Sequence, residues 1–282
     1  MKRAVGRVVA LVSLVMAPVP AWAQLLADRD ALVVYGHHHL NVTDVAAHTT
    51  FFAGTLGGVP ITMAGEQIVK FPNVLVFLRR QPPRGGTKGS SVDHIGFSVP
   101  NLRAVLDRVR ANGYRIVTSA EAPPGWRVKD GIGTQAGRAA AFVMGPDELL
   151  VELVEVRAQK VPTALHHVHF AGPQNTDMQT WYGTVFRAKA GPAGARTPSL
   201  SLPGVELDFS RTRGEVAGTK GRVIDHIGFE IDRLDSFLVR IEDMGVEPTV
   251  MQRLPALGMS TAFINDPWGT SIQLTEGLDD IK

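Results

Sequence analysis

The sequence predicts an α+β chain of four βαβββ modules arranged as two similar halves, with a leading segment outside the fold. Three observations carry this. VDHIGFSVPNLRAVLDRVRANGYRIV from Val92 and IDHIGFEIDRLDSFLVRIEDMGVEPT from Ile224 align without a gap, setting His94 against His226, Phe97 against Phe229 and Gly113 against Gly245 at an offset of 132 residues. A weaker pair, HHHLNVTDVAAHTTFFAGTLGG and HHVHFAGPQNTDMQTWYGTVFRA, sets His37 against His167 and Phe51-Phe52 against Trp181-Tyr182 at an offset of 130. Eight of the nine histidines fall in the four module openings, and only His48 does not. Self-similarity at a nearly fixed period marks repeated supersecondary units.

The leading segment comes first in the chain. Lys2, Arg3 and Arg7 precede the apolar VVALVSLVMAPVP, and Ala21-Trp22-Ala23 is a small-residue cleavage pattern. This is the order of a secretory signal peptide, with cleavage expected after Ala23. Pro18 and Pro20 break the apolar run, which is too short for a permanent span. The expected location is periplasmic or secreted, with no membrane contact after cleavage.

Each module then opens with a strand. In DHIGFSV, alternation places His94, Gly96 and Ser98 on one face and Ile95, Phe97 and Val99 on the other. A helix follows: Leu102, Val105, Leu106 and Val109 recur at i, i+3, i+4 and i+7, and Leu234, Phe237, Leu238 and Ile241 repeat the stripe. Asn101 is placed to cap the first of these helices, and Gly113 and Gly245 stand where the two should end. AAFVMGPDELLVELVEV and TAFINDPWGTSIQLTE then read as hairpins. The expected domains are residues 30–157, modules one and two, and residues 161–278, modules three and four. Arg79-Arg80 and PPRGGTKGS read as an exposed connector. Trp126 lies in a Gly- and Pro-rich loop, read as a surface loop or a cover over a site.

Composition narrows the chemistry. The chain has no cysteine, so it has neither disulfides nor thiolate ligands, and any metal must be held by imidazole, carboxylate, amide or water. The formal charge of +2 includes three basic residues within 1–23, leaving −1 for the remainder. With no clustered Lys/Arg stripe, nucleic acid is not an expected partner. The expected partner is a small-molecule substrate; subunit association is left open.

A module that opens on a strand histidine, carries paired aromatics in its helix and closes on a D-P-x-G turn before an acid-bearing strand resembles the vicinal oxygen chelate superfamily. That group includes glyoxalase I, type I extradiol dioxygenases, fosfomycin resistance proteins and bleomycin resistance proteins. The resemblance spans roughly Leu32 to Glu276. It implies that modules pair into cup-shaped sheets that hold a metal and substrate.

The resemblance implies a metal site in the first half made of His37, His94 and Glu152, the last from GPDELLVEL. Two imidazoles and a carboxylate suit a divalent metal, Fe, Mn or Zn. His39 shares the parity of His37 and is the candidate acid or base; His38 has the opposite parity. In the second half the matching set is His167, His226 and Gln273, a degenerate second site, because an amide stands where the carboxylate would be. Glu276 is expected on the other face of its strand.

The residues also depart from named members of the group. FPNVLVFLRR lacks the second carboxylate of glyoxalase I, and AFVMGPDE and TAFINDPW lack the His and Tyr of the extradiol dioxygenases. The expected function is that of an exported metal-dependent enzyme, glyoxalase- or dioxygenase-like, acting as a Lewis acid on a small oxygen-chelating molecule. The alternative is a non-catalytic binding or sequestration protein of the bleomycin-resistance type.

Overall fold

The structure, a computed structural model, describes residues 31–118, 126–135, 137–191 and 197–278. The segment read as a signal peptide lies outside the described residues. Four βαβββ modules follow in order. Module one comprises β1 (Val33–Val42), α1 (Val45–Thr49) running into a π-helical turn (Thr50–Thr55), β2 (Val59–Met63), β3 (Glu66–Phe71) and β4 (Val74–Arg80). Module two has β5 (Val92–Val99), α2 (Leu102–Ala111), β6 (Arg115–Ile116), an extra short strand β7 (Gly133–Gln135), β8 (Arg138–Met144) and β9 (Leu150–Glu155). Module three has β10 (Ala164–Gly172), α3 (Asn175–Phe186), β11 (Lys189–Ala190), β12 (Ser199–Leu202) and β13 (Val205–Arg211). Module four has β14 (Ile224–Ile231), α4 (Leu234–Glu242), β15 (Val250–Leu254), β16 (Met259–Asn265) and β17 (Ser271–Glu276).

Local chemistry sets these elements as the sequence suggests. The Asn101 side chain accepts from the Ala104 amide at the start of α2, and Gly113 and Gly245 take φ of +77° and +79° just past α2 and α4, a conformation that only glycine adopts without strain. Leu102, Val105, Leu106 and Val109 are all buried, each worth roughly 1.5–3 kcal/mol over leaving it exposed. The helices bury these stripes against one face of the sheets in a common core, and the histidine face points the other way. Glu276 accepts from the Leu234 amide at the start of α4, on the helix side, opposite Gln273.

Pairing differs from the expected order. One sheet runs β15-β16-β17-β14-β1-β4-β3-β2 and the other β11-β12-β13-β10-β5-β9-β8-β6. Module one therefore shares a sheet with module four, and module two with module three. Residues 30–157 and 161–278 are sequence repeats, while each sheet takes one module from each half. Period-2 alternation dictates which face a side chain occupies, not which strand lies alongside, and the four openings are too alike to choose. The connectors cross accordingly. Residues 84–91 pack against residues 217–222 through Arg84 N–H to Gly221 O at 2.8 Å, Ala217 N–H to Gly89 O at 2.9 Å and Arg222 Nε–H to Gly86 O at 3.0 Å. Arg79, Arg80, Pro82, Arg84 and Lys88 are exposed as expected, while Thr87 and Ser90 are buried where the connector meets residues 217–222.

Candidate metal centre

Each sheet is centred on two antiparallel opening strands, β1 with β14 and β10 with β5, each flanked by a parallel closing strand. Both central pairs carry register shifts at equivalent places: Gly36 is extra between Tyr35 and His37, and His166 between Leu165 and His167. Such bulges re-aim the side chains after them. In both sheets the ring that follows lies over a glycine of the neighbouring strand. A Cβ on Gly96 would collide with the His167 ring, and one on Gly228 with the His37 ring. Glycine at these two positions makes room for the imidazoles.

In the sheet of modules two and three, His94 and His167 meet Glu152. Glu152 Oε2 is 3.2 Å from His94 Nε2 and 3.3 Å from His167 Nε2, and all three residues are buried. The two rings stand at 86° with centroids 5.4 Å apart, so their nitrogens converge on one point. His94 Nδ1–H donates to Asp93 at 2.9 Å, which turns Nε2 inward, the arrangement that orients metal-ligating histidines. His169 is also near: single ligand atoms of His94, His167 and His169 lie within 4.8 Å of one another. Its ring stacks on His94 at 4.3 Å and 21°. The Glu152 oxygen lies within reach of both His94 and His167, so these three converge, and His169 stands beside them as a further candidate ligand.

The electrostatics agree. Burial works to raise the Glu152 pKa, but the contacts from His167 and His94 hold the carboxyl well below its usual range. Burial works to lower that of His94, and Asp93 and Glu152 overcome it, raising it to about 9. Glu152 Oε1 and His167 Nε2 are buried without a hydrogen-bond partner; the 3.3 Å contact of the latter is close but misaligned. Buried polar atoms left unpaired are costly, and a cation held by these residues would satisfy both. On the neighbouring strand Asp208 lies opposite His169. Burial raises its pKa, against the pull of His167. FPNVLVFLRR, at the close of module one, carries no acid, whereas VELDFSR, the β13 strand of module three, sets Glu206 and Asp208 opposite His167 and His169.

The expected first-half triad does not assemble. His37 lies in the other sheet, where its Nε2 is 2.9 Å from Gln273 Oε1. His226 Nε2 is 3.1 Å from that oxygen, and its Nδ1 pairs with Asp225 at 3.0 Å. The residues read as a degenerate site are thus divided too: His226 and Gln273 stay together, but their partner is His37, and His167 completes the carboxylate site. His39 is also in this second sheet, stacked on Phe77 at 5.6 Å and 8°, and does not serve the Glu152 centre. His38 points to the core side, where Tyr35 O–H contacts its Nδ1 at 2.8 Å. Trp126 packs on Phe142 at 5.2 Å, and Phe142 is edge-on to His94, so this loop residue stands one ring removed from the centre. An open groove of about 380 Å³ beside Trp181 and Trp268 lies on the helix side, outside both sites.

No protein-family model matches the chain, and no curated protein does. Among solved structures it is similar to glyoxalase I from Zea mays, at 15% identity and TM-score 0.65 over 88% of this chain and 94% of that one. It is also similar to a putative dioxygenase from Bacillus subtilis subsp. subtilis str. 168, at 12% identity and TM-score 0.63 over 88% of this chain and 86% of that one. At this identity the likeness establishes the fold alone, one shared with these two structures.

Proposed function

We propose that this chain of vicinal oxygen chelate fold is an exported metal-dependent enzyme with one centre, formed by His94, His167 and Glu152, acting on a small molecule that presents two oxygens. The observation that carries the reading is the shared approach of two orthogonal buried imidazoles to one Glu152 oxygen, with two neighbouring polar atoms left unpaired. Two histidines and a carboxylate suit Fe, Mn or Zn. A divalent cation held there would supply Lewis acidity, polarising a substrate oxygen.

The chain's own groups divide the remaining work. Asp93 holds the His94 tautomer. His169, whose Nε2 contacts Ser210 Oγ at 2.7 Å, stacks on His94 and fixes its plane. Asp208 is the carboxylate placed to take a proton from bound substrate, since its raised pKa brings its two protonation states closer in energy. Phe142, with Trp126 against it, walls the centre off from water beside His94. Export rests on the basic and apolar pattern of residues 1–23 and places the activity in the periplasm or outside the cell.

The test is titration of metal-stripped protein with Zn(II), Mn(II) and Fe(II), then a turnover screen of catechols and α-oxoaldehydes. One metal per chain, with chelator-sensitive turnover lost in Glu152→Gln, supports the reading. One metal and tight ligand binding without turnover favours the sequestration alternative. A chain that takes up no metal ends both forms of the metal reading.

A further inference from the structure

The sheet of modules one and four carries a second centre of the same geometry and opposite character. Gln273 replaces the carboxylate. Phe77 stands opposite His39 where Asp208 stands opposite His169, and Leu75 stands opposite His37 where Glu206 stands opposite His167. Each of the three acidic positions is therefore neutral here. Around this centre Ile68, Leu75, Phe77, Met259 and Leu278 form a separate apolar cluster on the histidine face, distinct from the main core. Burial keeps His37 and His39 uncharged, with pKa values pushed down to about 3 and about 2.

Two polar atoms inside this surface are unsatisfied. His37 Nε2–H is directed to the Gln273 amide oxygen, which makes its Nδ1 a bare acceptor, and that atom is buried without a partner. His39 Nε2 is likewise buried and unpartnered. The surface is covered by the chain itself. Glu230 accepts from the Gly277 and Leu278 amides at 2.6 and 3.0 Å, drawing the segment after β17 across the sheet and burying the Leu278 side chain against the cluster.

We infer that this second cup is a metal-free binding site for a neutral apolar molecule bearing a hydrogen-bond donor, and that the Gly277–Leu278 segment occupies it until ligand enters. The donor would satisfy His37 Nδ1, the apolar body would lie against Phe77 and Leu75, and Leu278 would give way. Loss of the three acids that face the other centre disfavours a dication, and the nearby Asp225 and Glu230 carboxylates disfavour an anion. The inference does not rest on the metal reading of the other cup.

The experiment uses N-phenyl-1-naphthylamine, a neutral aromatic amine that fluoresces on entering an apolar site, with the full chain in chelator. One probe should bind per chain. Leu278→Ala should tighten binding about tenfold by removing the competitor, Gln273→Glu should weaken it at least tenfold by placing a charge on the floor, and Glu152→Gln in the other cup should leave it unchanged. Thermal unfolding of each variant verifies folding, and Leu278→Gly serves if the alanine variant does not fold. Equal affinity in the wild type, Leu278→Ala and Gln273→Glu overturns the proposal, as does loss of binding in Glu152→Gln. Stoichiometric metal retained by untreated Glu152→Gln protein and lost on replacing His37 also overturns it, by making this cup the metal site.

Discussion

Glu152 and Gln273 hold the same position in the two sheets: each lies opposite the glycine that follows a strand histidine by two residues, Gly96 for Glu152 and Gly228 for Gln273. The imidazoles around them are repeated as well. Each is approached by two imidazole nitrogens, and each has one of those imidazoles held from behind by an aspartate, Asp93 or Asp225. A carboxylate in one sheet is thus an amide in the other, and the strand beside each site differs with it, Asp208 and Glu206 standing where Phe77 and Leu75 stand in the second.

This pairing defines the metal prediction. Wild-type protein should retain one divalent metal per chain. His94→Ala, His167→Ala and Glu152→Gln should each lose it, and His37→Ala should keep it. Asp93→Asn, which loosens His94 without removing a ligand, should weaken affinity roughly 10–100-fold. Elemental analysis with competitive titration decides the matter. Retention in His167→Ala with loss in His37→Ala would restore the pairing of consecutive modules.

The elements, the helix caps and the alternation of faces were legible in the sequence because each is set by local spacing. The pairing of His94 with Glu152 was legible for the same reason, since both lie in one module on adjacent parallel strands. The partner histidine was not. His37 and His167 sit in similar contexts, HHHL from His37 and HVHF from His167, and nothing in a strand's own alternation names its neighbour. A signal was present in composition. The closing strand of module three, VELDFSR, is acidic, while that of module one, VLVFLRR, is apolar. Acid-bearing strands gather around the Glu152 cup and apolar ones around the Gln273 cup.

Exchanging the distinguishing group should convert one site towards the other. In Gln273→Glu, two imidazoles and a carboxylate would again converge, with Asp225 already behind His226. The variant should bind a second metal, raising the content from one to two per chain, more weakly than the first because Phe77 occupies the place of Asp208. Native mass spectrometry at increasing Zn(II) reads this directly. A count fixed at one across the titration would show that the surrounding apolar wall, not the amide, excludes the cation.

The two glycines offer a test that changes no ligand. A methyl group at Gly96 must displace the His167 ring, and one at Gly228 must displace the His37 ring. Gly96→Ala should therefore lose the metal while keeping the fold, and Gly228→Ala should keep the metal. Circular dichroism beside metal content separates the outcomes. Equal metal retention in both would mean that His167 is not a ligand.

Buried neutral histidines should make the protein sensitive to acid. Burial pushes the pKa of His38 down to about 3, and burial followed by the nearby His226 does the same for His37. In the unfolded chain both titrate near 6.5. Between these values the unfolded state binds more protons, so the stability these groups contribute is full above about pH 6.5 and drains away as pH falls towards 3, by up to about 1.4 kcal/mol per pH unit for each. His94 has the opposite sign: its raised pKa gives stability that is complete below 6.5 and lost as pH rises through about 9. Urea unfolding of metal-stripped protein from pH 7.5 to 4.5 should show the acid slope. His38→Leu should be less stable at neutral pH, because the Tyr35 hydroxyl loses its acceptor, yet its stability should fall less steeply with acid, by about one proton. Parallel slopes for the variant and the wild type would mean that His38 is already protonated in the folded chain, and that the interior around β1 admits charge.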